Sequence, residues 1–220
     1  MAADFDSPDE QLLIGLAKLG LALRHDAWQS AAPRGLTPTQ AQAVVCLERG
    51  ASRRLGELAR ELGVTDATAS DAVRVLVEKG LVRKERDDDD ARALRLVLTP
   101  AGRREARRAG QWPDAFLLGA ADLSTEERGV LLRGLSKIIR RLQLEGRIPV
   151  ARMCASCAYF RPHAHRDAMR PHHCAFVDAA FGEHELRLEC PDHVAAAPEE
   201  SDTRWRHFVA GGTRPSSRTP

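Results

Sequence analysis

The chain has 220 residues, 33 of them lysine or arginine against 31 aspartates and glutamates, for a formal net charge of +2. So even a balance does not by itself announce a nucleic-acid partner, and the length allows one large domain or a domain with an appendage. No stretch reaches the ~18 apolar residues of a membrane span, and Met1-Ala2-Ala3-Asp4 lacks the basic region and apolar core of a signal peptide. A cytoplasmic protein without membrane partners is expected.

The first predicted element is a helix over Pro8–His25, where Leu12, Leu13, Leu16, Leu19 and Leu23 make it too apolar for a lone surface helix. Thr37-Pro38-Thr39-Gln40 reads as a capping box with proline at the first helical position, opening a helix to about Glu48. Cys46 lies inside it beside Val44, Val45 and Leu47, which points to packing rather than redox chemistry. Leu55, Leu58, Ala59 and Leu62 recur at helical spacing, so Arg54–Leu62 is a short amphipathic helix broken by Gly63. Thr65 is a good N-cap for a second helix whose apolar stripe is Ala69, Ala72, Val73 and Leu76 and which Gly80 closes. Its opposite face carries Asp66, Ala67, Thr68, Ser70, Asp71 and Arg74, short or polar side chains with one long cation. Such a face suits a DNA major groove, where short side chains allow close approach and hydroxyls reach base edges or phosphates.

Two β-like runs follow, Leu81–Glu85 and Ala93–Leu98, joined by an acidic tip from Asp87 to Asp90. Arginines cluster here and beyond, at 83, 86, 92, 95, 103, 104, 107 and 108, with Lys84 among them. Thr99 caps and Pro100 begins a helix to about Gly110, which Trp112-Pro113 interrupts or kinks. Ser124-Thr125-Glu126-Glu127 is another capping box, opening a helix to about Leu144. Leu131, Leu135, Ile138 and Leu142 repeat along it at spacings of four, three and four. The first and last of these helices both carry more apolar surface than one small domain can cover.

Val64-Thr65 through Val82-Arg83, then Asp90-Ala91-Arg92, then Leu98-Thr99-Pro100-Ala101-Gly102, resemble the winged-helix core of the MarR family of bacterial transcriptional regulators. The resemblance covers roughly Pro8 to Leu144. It implies a mostly α fold, a winged helix-turn-helix with long terminal dimerisation helices and a two-stranded wing. It implies a homodimer on double-stranded DNA at an inverted-repeat operator, with two recognition helices about one turn apart, roughly 34–36 Å. The implied DNA contacts are Thr65, Ala67, Thr68, Ser70 and Arg74 around the second helix, and Arg86, Asp90 and Arg92 in the wing. Asp90 would orient Arg92 into a minor groove, whose narrow form concentrates negative potential. One residue departs from the pattern: the family often has a basic residue where this chain has Asp71. The regulatory reading leaves room for a small-molecule effector, which the sequence does not identify.

Four of the five cysteines lie between Met153 and His193: Cys154 and Cys157 as CxxC, then Cys174, then Cys190. In a cytosolic chain, where thiols stay reduced, such a set points to one metal centre rather than disulfides. The segment is also poor in aliphatic residues and needs a cross-link to fold. The expected ligands are these four cysteines, with His173 and His193 as alternates. Zinc is the first expectation, since a structural site takes four thiolate or imidazole donors and CxxC supplies two. A 4Fe–4S cluster is the alternative: it too takes four cysteines, and the spacing partly matches high-potential iron–sulfur proteins. The expected organisation is thus a winged-helix domain at 1–145, a small Cys/His metal-binding module at 146–194, and a disordered tail at 195–220 in which Trp205 and Phe208 could dock. Two competing classes are weighed. One is a metal-dependent enzyme using Glu183, Glu185 or Glu189, which lacks an evident pocket scaffold; the other is an architectural DNA-binding protein without regulatory input.

Overall fold

The computed structural model describes residues 7–50, 53–87, 93–111, 113–148 and 152–211. The chain divides into two compact units, Met1–Asp114 and Ala115–Pro220. The division falls inside the single domain expected at 1–145, because the last helix of that stretch packs on the cysteine-bearing segment.

In the first unit, α1 spans Pro8–Ala31 and opens on a capping box, Ser7 accepting from the Glu10 N–H while Glu10 accepts from Ser7 N–H. It runs six residues beyond the expected His25, since nothing breaks helix before Pro33. Thr37 and Gln40 exchange reciprocal 3.2 Å bonds at the start of α2 (Pro38–Gly50). Next, β1 (Arg53–Arg54) precedes α3 (Leu55–Leu62), and α4 (Asp66–Glu78), β2 (Val82–Arg86), β3 (Leu94–Leu98) and α5 (Pro100–Ala109) follow. The sheet has three strands in the order β1-β3-β2, all pairs antiparallel, where two were expected. Two residues carry no periodicity, so β1 is invisible to pattern reading; it exists because Arg53 and Arg54 pair with Leu96 and Arg95.

Val44, Leu47, Leu58, Val73, Leu76, Val82, Leu96 and Leu98 are all buried in one core that joins α2, α3 and α4 to the sheet. Gly63 exits α3 at φ 65°, left-handed backbone that glycine adopts without steric cost. Gly102 has another reason to be glycine. A Cβ there would collide with the Leu81 carbonyl oxygen. Thr99 binds the same corner, its hydroxyl donating to the Gly80 carbonyl at 2.7 Å and accepting from the Gly102 N–H at 3.0 Å. The Leu-Thr-x-x-Gly motif therefore locks the start of α5 onto the start of β2.

The second unit takes up from α6 (Asp114–Ala121), a helix missed in the sequence because its apolar run shows no amphipathic period, and continues with α7 (Thr125–Leu144). A second small sheet, β4 (Phe160–Arg161), β5 (His172–Cys174) and β6 (Ala179–Phe181), is antiparallel in that order. The expected disordered tail is corrected in its first part. Pro198–Ala210 forms α8, and Phe208 is wholly buried against Phe160, Leu186 and Cys157. Residues 212–220 lie outside the described chain. One face of α7 meets this module: Leu132 packs on its core, Arg133 pairs with Glu183 and donates to the Phe208 and Val209 carbonyls, and Arg140 pairs with Asp202 at 2.6 Å. The Arg133 and Arg140 guanidinium groups also lie over Phe208 and Trp205. Among the described residues no helix is long and apolar enough to cross a membrane.

Candidate nucleic-acid interface and C-terminal thiol cluster

The α3–turn–α4 unit presents one face of α4 to the core and the other to solvent. Ala69, Ala72, Val73 and Leu76 are buried, while Asp66, Ala67, Thr68, Ser70, Asp71 and Arg74 are all exposed. Thr65 is the N-cap, accepting from the Thr68 N–H at 3.2 Å, and its hydroxyl lies 2.9 Å from the Thr68 hydroxyl. One hydroxyl of this pair is thus already partly committed to holding the helix start. Arg74 sits between Glu78 at 3.0 Å and Asp71 at 3.8 Å. Exposed pairs of this kind contribute only a few tenths of a kcal/mol, so the guanidinium can leave them for an anion. Arg86 ends β2 with an exposed side chain. Asp90 and Arg92 lie outside the described residues.

Part of the arginine cluster is spoken for. Arg83 and Arg95 face Glu85 at 2.8 and 3.7 Å, Arg107 faces Glu48 at 3.5 Å, and Arg103 donates to the Leu98 carbonyl at 3.1 Å. The first acid of the wing tip is neutralised as well: Arg54 donates to Asp87 at 2.8 Å. Pattern reading passed over Arg54 because this partner lies 33 residues away. Cys46 packs at the edge of the core, and burial, with Glu61 nearby, pushes its thiol up to about 11. At neutral pH it is a protonated, inert thiol.

In the second unit, Cys154, Cys157, Cys174 and Cys190 all line one half-open cavity of about 220 Å³. They arrive from three places: the 3₁₀ turn Cys154–Ser156 with the residue after it, the end of β5, and the loop beyond Glu183–Glu185. Backbone bonds pin them, Cys154 N–H to the Arg187 carbonyl and Cys190 N–H to the Arg152 carbonyl, both at 2.9 Å. The Arg187 N–H donates to Cys154 Sγ at 3.3 Å and its guanidinium to Cys190 Sγ at 3.6 Å. Burial, outweighing that N–H, raises the Cys154 thiol to about 11, with the other three thiols adding to the effect.

The alternate histidines stand apart from this cavity. His193 Nε2 lies 3.0 Å from the Ser156 hydroxyl, and His173 lies between Asp178 at 3.4 Å and His165 at 3.3 Å. His172 is a core residue, ringed by Phe160, Phe181 and Phe208, and burial lowers its pKa to about 3. The carboxylates weighed for catalysis are engaged: Glu183 with Arg133, Glu189 with Arg152 at 2.6 Å, and Glu185 with the Gly182 N–H at 2.8 Å. Among the described residues no three His, Cys, Asp or Glu side chains stand close enough to hold a single metal ion.

Residues 34–93 match the model of the MarR family. No curated protein matches the chain. Among solved structures, the transcriptional regulator BldR of Sulfolobus solfataricus is 27% identical, with 60% of this chain and 95% of that one covered and a TM-score of 0.51. A MarR protein of Peptoclostridium difficile is 20% identical over 66% of this chain and 94% of its own, with a TM-score of 0.56. FabT of Streptococcus pneumoniae, solved in complex with DNA, is 21% identical over 61% and 96%, with a TM-score of 0.53. These likenesses show the winged helix-turn-helix fold.

Proposed function

We propose that this protein is a sequence-specific, DNA-binding transcriptional regulator that acts as a homodimer on an inverted-repeat operator. Its C-terminal module, on this reading, carries a thiolate-held metal centre that is structural or redox-sensing. The observation that carries the DNA reading is α4. Its buried stripe fixes it to the core, and its free face is a continuous surface of small, hydroxylic and charged side chains. A helix held this way by a preceding helix and a tight turn is built to enter a major groove. The matched family segment spans this same region, from before α2 to the wing.

The homodimer reading rests on unpartnered apolar surface. Leu12, Leu13, Leu19 and Leu21 of α1 are each more than half exposed. On α7, Leu131 and Ile138 are exposed beside the half-buried Leu135 and Leu142. That stripe lies away from Gly129, Ser136 and Arg140, the residues the helix buries. A second copy offers the same leucine-rich helices in return, as a two-fold interface requires.

Thr68→Ala and Ser70→Ala test the assignment. Each is expected to flatten the preference among operator variants measured by gel shift, with little change in salt dependence. Arg86→Ala is expected instead to weaken all sequences alike. It should lower the slope of log K against log salt by roughly two per dimer, at about 0.9 per phosphate. Unchanged preference and slope in all three variants would remove α4 and the wing from the interface.

A further inference from the structure

The geometry points to a 4Fe–4S cluster, rather than a single zinc ion, as the group held by Cys154, Cys157, Cys174 and Cys190. This rests on the reading of the C-terminal module as a thiolate metal site, and names the cofactor that site takes. Zinc asks its ligands to meet at a point. With Zn–S bonds of about 2.3 Å, four tetrahedral sulfurs stand only about 3.8 Å from one another. Here all four thiols line one cavity of about 220 Å³, together with ten other residues, which leaves room for more than a single ion. A cubane takes four cysteines, each binding a different iron at its own corner, and needs a cavity between them.

The walls of the cavity agree. Tyr159, Phe160, Phe176 and Phe181 line it together with the thiols. Tyr159 and Phe176 are in ring contact at 5.4 Å, and Phe160 and Phe181 at 5.9 Å. Aromatic cover keeps water from the bridging sulfides of a cluster. Arg187 supplies a third feature. Its backbone N–H points at Cys154 Sγ and its guanidinium at Cys190 Sγ. A cluster with four thiolates is an anion, and hydrogen bonds to its sulfurs together with a nearby positive charge stabilise it and raise its reduction potential. Backbone bonds from Cys154 to the Arg187 carbonyl and from Cys190 to the Arg152 carbonyl fix where these two thiols stand. The two histidine alternates are occupied elsewhere and form no part of the cavity wall.

The test uses the full-length protein, purified without oxygen and then supplied with ferrous iron and sulfide, or separately with zinc. Iron, acid-labile sulfide and zinc are counted per chain, and the visible spectrum is recorded. The expected result is about four iron and four sulfide per chain with broad visible absorption. A colourless protein that takes one zinc per chain and no sulfide overturns the cluster while leaving the thiolate site standing. A protein that binds neither overturns both. Cys174→Ser should lose most of the iron, while Cys46→Ser and His193→Ala should keep all of it. Full iron content in Cys174→Ser, or its loss in His193→Ala, overturns the four-cysteine set. The wild-type stoichiometry decides the matter even if Cys174→Ser fails to fold.

Discussion

Two single residues show how narrowly the winged-helix unit is specified. Gly102 meets the Leu81 carbonyl oxygen so closely that a methyl group has no room. Because the obstacle is backbone, Gly102→Ala must shift α5 or β2. Its expected cost is at least the 1–3 kcal/mol typical of an overpacked core, about that much or more. A urea titration checks it: the midpoint should fall with little change in slope, and an unmoved midpoint would refute the contact. Cys46 is the second case. Its folded pKa, about 11, lies above the ordinary 9.0 because burial disfavours the thiolate. A raised acid pKa contributes stability in full below pH 9, and that contribution drains away as pH rises toward 11. Wild-type protein should therefore lose stability relative to Cys46→Ala across that window and nowhere below it. Iodoacetamide at pH 8 should label Cys46 slowly in the folded protein; rapid labelling would contradict its burial.

At the scale of elements, what the sequence disclosed and what it hid divide along a physical line. The α4 stripe was legible because four apolar residues at helical spacing have one way to be buried together, and those four are buried. The caps at Thr37, Thr65, Thr99 and Ser124 were legible because each bond spans three residues. Long-range partners were not. Strand β1 exists only through its pairing with β3, and the Arg54–Asp87 pair joins residues far apart in sequence. For the same reason α8 read as a loose tail. Its composition is polar, and only the Phe208 pocket, built from Phe160, Leu186 and Cys157, makes it a folded element. The four cysteines were legible as a set from their spacing, whereas the cavity between them and the aromatic rings around it belong to the fold. Phe208→Ala follows from this. Removing a wholly buried phenylalanine should cost about 3–5 kcal/mol and release α8 to protease, while the Met1–Asp114 unit keeps its own unfolding transition. A single unchanged transition would show that α8 does not hold the module together.

At the scale of the whole molecule, α7 has two separate tasks. One face, through Arg133 and Arg140, holds the C-terminal module, and the other offers Leu131, Leu135, Ile138 and Leu142 outward. Substituting Leu135 and Ile138 together with Glu should therefore give monomers by analytical ultracentrifugation while the module's metal content stays as in wild type. A dimer that survives the pair would place the interface elsewhere, and loss of metal would show that the two faces are not independent. On the proposed reading a dimer carries two α4 helices to one operator, and selection of binding sites from random double-stranded DNA by the full-length protein checks this. The selected sequences should contain an inverted repeat whose half-site centres lie one helical turn apart, about 10–10.5 base pairs. Enrichment of no sequence, or of a single site without a two-fold partner, would contradict the account.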